Sequence, residues 1–108
     1  MPADNYGLGQ TSSANNVVMA YEAPATGTID LFTWLVTQYG TGHSLTVAKG
    51  SLDNVVGTYS TTQGVVNYQT YNLNVTKGEK LYLIFKATTP ANGEWFGYQL
   101  SVTYTAVN

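Results

Sequence analysis

The sequence predicts an all-β domain built as two antiparallel sheets packed face to face. Three observations lead there. Nine Tyr, three Phe and two Trp accompany 16 Thr and a dense series of Val, the side chains that suit pleated, half-buried surfaces. No apolar stripe of helical period extends beyond a turn, whereas short segments of alternating polarity recur between turn-forming clusters. A single sheet of this length would leave many aromatics in water, and two facing sheets bury alternate side chains in one core. With 108 residues, 44% hydrophobic and 9% charged, the chain is the size of one domain and too apolar for disorder.

The elements follow in order. Residues 1–15 are polar and rich in Gly, Ser and Asn, and read as a linker remnant or a short edge element near Tyr6 and Leu8; the sandwich domain spans 16–108. A first clear strand covers Asn16 to Glu22 and ends in a turn at Ala23 to Gly27, where Pro24 removes a ladder donor. Thr28 to Val36 forms the next strand, with Ile29, Leu31, Thr33 and Leu35 on one face and Asp30, Phe32, Trp34 and Val36 on the other. Asp30 calls for water while Phe32 and Trp34 call for burial. A bulge after Leu31, cover on both faces, or an outer aromatic strip would each reconcile them.

Gln38 to Gly42 reads as a loop, Ser44 to Lys49 as a strand and Val55 to Tyr59 as a short edge. Val65 to Val75 follows, with Tyr71, Leu73 and Val75 on its buried face. Leu81 to Phe85 lacks polar alternation, as a central strand does. Tyr98 to Thr105 alternates most cleanly of all. Six to eight strands result. Leu31, Leu45, Val47, Leu73, Val75, Leu83, Phe85, Leu100 and Val102 are the expected core.

Charge and composition exclude several function classes. Four Lys, no Arg and a net charge of -2 leave no cationic stripe for nucleic acid. The absence of Cys removes disulfides and thiolate metal sites. No run approaches the length of a membrane-spanning helix, and the N-terminus lacks a signal-peptide pattern, so an excised extracellular or cell-surface domain without its targeting segment is expected. The six carboxylates lie mostly in or beside turns, and neither a paired acid and base nor a nucleophile elbow is recognisable. An enzyme is not expected.

Ordered blocks give a further lead. Val18 to Leu31, then Ser44 to Gly50 and Val55 to Thr58, and above all Tyr68 to Val75 followed by Thr76 to Phe85, resemble the β-jelly-roll carbohydrate-binding modules of the galactose-binding-like superfamily, which accompany secreted bacterial glycoside hydrolases. Tyr68 stands where that group usually has Trp. The likeness covers about four fifths of the chain and speaks for fold more than for function. It implies a non-catalytic module that holds a secreted enzyme or surface protein on a polysaccharide or oligosaccharide, tethered to a catalytic or surface domain. A structural calcium is possible within that family, but no clear acidic cluster supports one here, and no other cofactor is implied. A structural or adhesive sandwich of a cell-surface protein is the alternative.

A lectin-like site needs an aromatic plate for the C–H face of a sugar and amide or carboxylate partners for its hydroxyls. Trp95, flanked by Gly93 and Gly97 and accompanied by Asn92 and Glu94, fits best as a loop-borne plate. Tyr39, beside Gly40, is a second plate, since the resemblance brings these two loops together. Trp34 reads first as core because it lies in a strand; without a bulge it and Phe32 form a flat outer strip suited to a polysaccharide chain. Tyr68 reads mainly as sheet packing with a hydroxyl available to a ligand. His43, solitary beside Gly42, reads as a solvated loop residue.

Overall fold

The computed structural model describes the backbone of residues 3–11, 17–39, 42–87 and 94–108, and the side chains of 17–38, 42–87 and 96–108. These residues form eight strands: β1 (Ala3–Thr11), β2 (Val17–Glu22), β3 (Gly27–Tyr39), β4 (Gly42–Lys49), β5 (Val55–Thr62), β6 (Val66–Val75), β7 (Lys80–Ala87) and β8 (Glu94–Val107). They make two four-stranded antiparallel sheets, ordered β1-β8-β3-β6 (sheet I) and β2-β7-β4-β5 (sheet II). Only the β4–β5 connection stays within its sheet, and every other one crosses the sandwich, a jelly-roll-like topology. No helix among the described residues is long and apolar enough to cross a membrane.

Period-two burial sets the register. Ile29, Leu31, Leu35, Leu73, Val75, Leu100 and Val102 project inward from sheet I to meet Leu45, Val47, Leu81, Leu83 and Phe85 from sheet II. All nine residues expected in the core are there. Phe96 joins them fully buried, stacked on Phe85 with centroids 4.6 Å apart, and Tyr98 tilts against both. Burying these aliphatic and aromatic side chains supplies the main favourable term, at roughly 1.5–3 kcal/mol each.

Both core-facing threonines of β3 have their hydroxyls satisfied. Thr33 donates to the Gln69 carbonyl (3.2 Å) and accepts from the Tyr59 hydroxyl (2.9 Å), so one side chain ties β3 to its neighbour β6 and to the opposite sheet. Burial pushes the Tyr59 phenol up to about 12 despite the bond to Thr33, so it remains a neutral donor at ordinary pH. Farther along, the Thr37 hydroxyl meets His43 Nδ1 at 3.1 Å and the Thr61 hydroxyl at 2.7 Å. At the other end the Tyr104 hydroxyl donates to the Ala25 carbonyl at 2.7 Å and pins the β2–β3 turn.

Three expectations are corrected. His43 is not a solvated loop residue: it lies in β4, fully buried, its ring 5.3 Å from that of Phe96. The sequence offered it no burial signal because Thr37, which meets its Nδ1, comes from β3 in the opposite sheet. No phase change follows Leu31 in β3, where the register shifts lie instead at Thr28/Ile29 and Thr37/Tyr39 against β8. Trp34 consequently belongs to the outer face and not to the core.

Candidate functional site

The uninterrupted alternation of β3 determines what sheet I presents to solvent. With Leu31, Thr33 and Leu35 directed inward, Asp30, Phe32 and Trp34 stand on the outer face. Register with the flanking strands arranges their neighbours in rows. Trp34 pairs with Tyr68 on one side and Gln99 on the other; Phe32 pairs with Thr70 and Ser101; Asp30 pairs with Asn72 and Thr103. Among the described side chains, three aromatics therefore share one end of a sheet-face patch, with hydroxyls, amides and a single carboxylate around and beyond them.

Tyr68 is 62% exposed, and its ring lies 6.2 Å from that of Phe32 at an interplanar angle of 38°. It is the exposed member of the group and not a sheet-packing residue. The reason is positional: β6 is the outer strand of its sheet, so Tyr68 has a neighbour strand on one side only. Beyond the rings, Asn72 donates to Asp30 at 2.9 Å and Thr28 to Asn74 at 3.0 Å, which orders the polar end of the patch. Thr33, placed between Phe32 and Trp34, anchors the backbone from beneath through Tyr59 and Gln69.

The other sequence-derived site residues lie elsewhere. Asn92 and the side chains of Tyr39, Glu94 and Trp95 fall outside the described residues. The backbone of Glu94 and Trp95 belongs to β8 and not to a loop, and that of Tyr39 to the end of β3. Gly97, which read as loop punctuation, is an interior residue of β8 paired with β1 on one side and β3 on the other. Pairing on both sides carries the strand through it. Register sets Tyr39 opposite Trp95 on sheet I, beyond the Val36–Gly97 pair.

The described carboxylates do not converge. Asp30 is held by Asn72 on sheet I, Glu22 ends β2 in sheet II, Asp53 lies in the β4–β5 connection, and Glu79 pairs with Lys49 at 3.1 Å. No group of three or more His, Asp or Glu that could hold a metal ion occurs among the described residues. They offer no cage for the calcium that the resemblance allows.

No family model and no curated protein matches the chain. Solved structures do. The chain aligns over 100% of its length with 88% of a protein described as "Bacillus endospore appendages form a novel family of disulfide-linked pili", at TM-score 0.65 and 12% identity. It aligns over 95% of its length with all of the CBM36-1 domain of a multidomain xylanase from the hindgut metagenome of Trinervitermes trinervoides, at TM-score 0.57 and 16% identity. It aligns over 97% of its length with 99% of a carbohydrate-binding module, CBM36, in complex with calcium and xylotriose, at TM-score 0.53 and 15% identity. At such identities the likeness establishes the architecture: an all-β, two-sheet antiparallel sandwich of the form shared by carbohydrate-binding modules and a pilus protein.

Proposed function

We propose that this chain is a non-catalytic carbohydrate-binding module of an extracellular or surface protein, and that it binds through the outer face of sheet I. The observation that carries the reading is the juxtaposition of Phe32, Trp34 and Tyr68 on one exposed sheet face, ringed by Gln99, Ser101, Thr70, Asn72 and Asp30. Sugar C–H faces and aromatic rings both shed water on stacking, worth about 25 cal/mol per Å² of apolar area. Sugar hydroxyls exchange water for amide and hydroxyl partners at little net gain. The rings therefore carry affinity and the polar border selectivity. A patch this shallow binds weakly, with Kd on the order of 10–1000 μM.

Trp95, Tyr39, Asn92 and Glu94 remain the competing location; the backbones of Tyr39 and Trp95 pair on the same sheet, beyond the Val36–Gly97 pair. Titration of the parent and of single variants separates the two. Trp34→Ala is expected to weaken binding to a polysaccharide at least about tenfold, equivalent to about 1.4 kcal/mol, with the circular dichroism spectrum unchanged. Loss of binding in Trp95→Ala and not in Trp34→Ala would move the site to the Tyr39–Trp95 end.

A structural or adhesive role is the second reading, and one observation favours it. The outer strands β5 and β6 contain no Pro and no charged residue, and Val55, Val56, Val65 and Val66 are exposed at their ends. Sheet edges are ordinarily protected by such residues against pairing with another chain. Sedimentation over a hundredfold concentration range is expected to give a monomer if binding is the role, and growing assemblies if self-pairing is.

A further inference from the structure

The distribution of charge narrows the ligand class. Sheet I contains no lysine in any of its four strands, and the chain has no arginine; its ionisable side chains of formal charge are Asp4, Asp30 and Glu94. The four lysines lie in β4, in β7 and in the β6–β7 turn. Cation and plate are thus separated by the fold.

Distance makes the separation effective. Packed sheets stand about 10 Å apart, and the Debye length at physiological salt is about 8 Å. Lys49, Lys80 and Lys86, carried by the opposite sheet, are therefore screened from the outer face of sheet I. Lys77 follows the end of β6, and at about 3.4 Å per residue lies roughly 30 Å along the chain from Tyr68. Among the described side chains, the one charge within the patch is the Asp30 carboxylate, and the other acids of sheet I, Asp4 and Glu94, add negative and not positive charge to its strands.

Resting on the sheet-face reading above, we infer that the site takes a neutral polysaccharide presented as a flat chain surface, and discriminates against uronate-bearing and sulfated chains. A carboxylate or sulfate entering this face would lose water without gaining the charge-assisted hydrogen bond that a lysine or arginine supplies, and it would meet Asp30. Flatness follows from placement. The three rings occupy two adjacent rows on neighbouring strands, Trp34 beside Tyr68 and Phe32 in the next row, a cluster two strands wide and not a single file. Such a patch contacts the broad face of chains lying side by side more fully than it encloses one flexible oligosaccharide, whose ordering on binding costs affinity.

Depletion from solution tests both parts. The parent, a Phe32→Ala/Trp34→Ala/Tyr68→Ala variant and a Thr70→Lys variant are mixed with microcrystalline cellulose, chitin, soluble cellohexaose and immobilised polygalacturonate. The expected result is parent binding to at least one neutral solid, at least about tenfold tighter than to the hexasaccharide, with none to polygalacturonate. The triple variant should lose that binding, and Thr70→Lys should gain binding to polygalacturonate, since an exposed cation is placed beside Phe32. Circular dichroism of each variant secures the fold. Parent binding to polygalacturonate as strong as to the neutral solids, and lost in the triple variant, would overturn the ligand class while leaving the site. Equal affinity for hexasaccharide and solid would overturn the flat-surface preference. Binding by the folded triple variant equal to that of the parent, or none by the parent to any of the four, would overturn the sheet-face reading itself.

Discussion

Thr33 is where structure and the proposed site meet at the scale of one residue. Its hydroxyl holds both Tyr59 and Gln69 directly behind the aromatic patch, and nothing in a sequence separates such a threonine from a solvated one, because its partners lie 26 and 36 residues away. Tyr59→Phe is expected to cost about 0.5–1.5 kcal/mol in denaturant unfolding; an unchanged midpoint would show the bond to be energetically idle. His43 is a parallel case, satisfied by Thr37 across the sandwich. Gly27 makes a sharper demand: a Cβ there would lie 2.2 Å from the Ala106 carbonyl oxygen, backbone that cannot swing aside. Gly27→Ala should destabilise by about 1–3 kcal/mol through overpacking, read as a lowered Tm, and an unaltered Tm would mean that β3 and β8 separate there freely.

Strands were legible where alternation is continuous and illegible at their ends. The parity of β3 separates Leu31 and Leu35 from Phe32 and Trp34 without tertiary information, which is why an outer aromatic strip could be foreseen from the residues. Its third member could not: Tyr68 is exposed because β6 lies at a sheet edge, a property of strand order. Gly97 and Gly42 misled in the opposite direction, since glycines that punctuate loops also sit within paired strands. At the β6–β7 turn, burial raises the Glu79 carboxyl, but the Lys49 hydrogen bond, the Thr76 N–H and the Lys49 charge together bring it below its ordinary value. The folded state therefore favours the ionised form. Its contribution is complete above the ordinary carboxylate pKa and is lost as pH falls through the lowered folded value. For this partly exposed pair it amounts to about 0.2–1 kcal/mol. Glu79→Gln should lower stability by that amount at pH 7 and converge with the parent in acid, as urea titrations at several pH values would reveal; a difference constant with pH would assign the effect to packing.

For the whole molecule, the two-sheet architecture and its shared core were readable because apolar periodicity and burial are the same physics seen twice: Leu45, Val47, Leu83 and Phe85 of sheet II face Leu31, Leu73, Val75, Leu100 and Val102 of sheet I. Leu83→Ala should cost about 2–5 kcal/mol, with a single cooperative transition retained; a loss below about 1 kcal/mol would remove Leu83 from the common core. What periodicity could not supply was which outer face gathers the aromatics, since that depends on the strand order that brings β6 beside β3, in a sheet whose strands contain no lysine. The most direct test is to follow backbone amide and indole N–H resonances of the 15N-labelled protein while a soluble neutral oligosaccharide such as cellohexaose is added. The chain has two indoles, Trp34 and Trp95, so the readout is nearly binary. A sheet-face site predicts saturable shifts of the Trp34 indole and of the Phe32, Tyr68, Thr70 and Gln99 amides, with sheet II unmoved. Shifts confined to the Trp95 indole and its neighbours, or spread over sheet II, would contradict it.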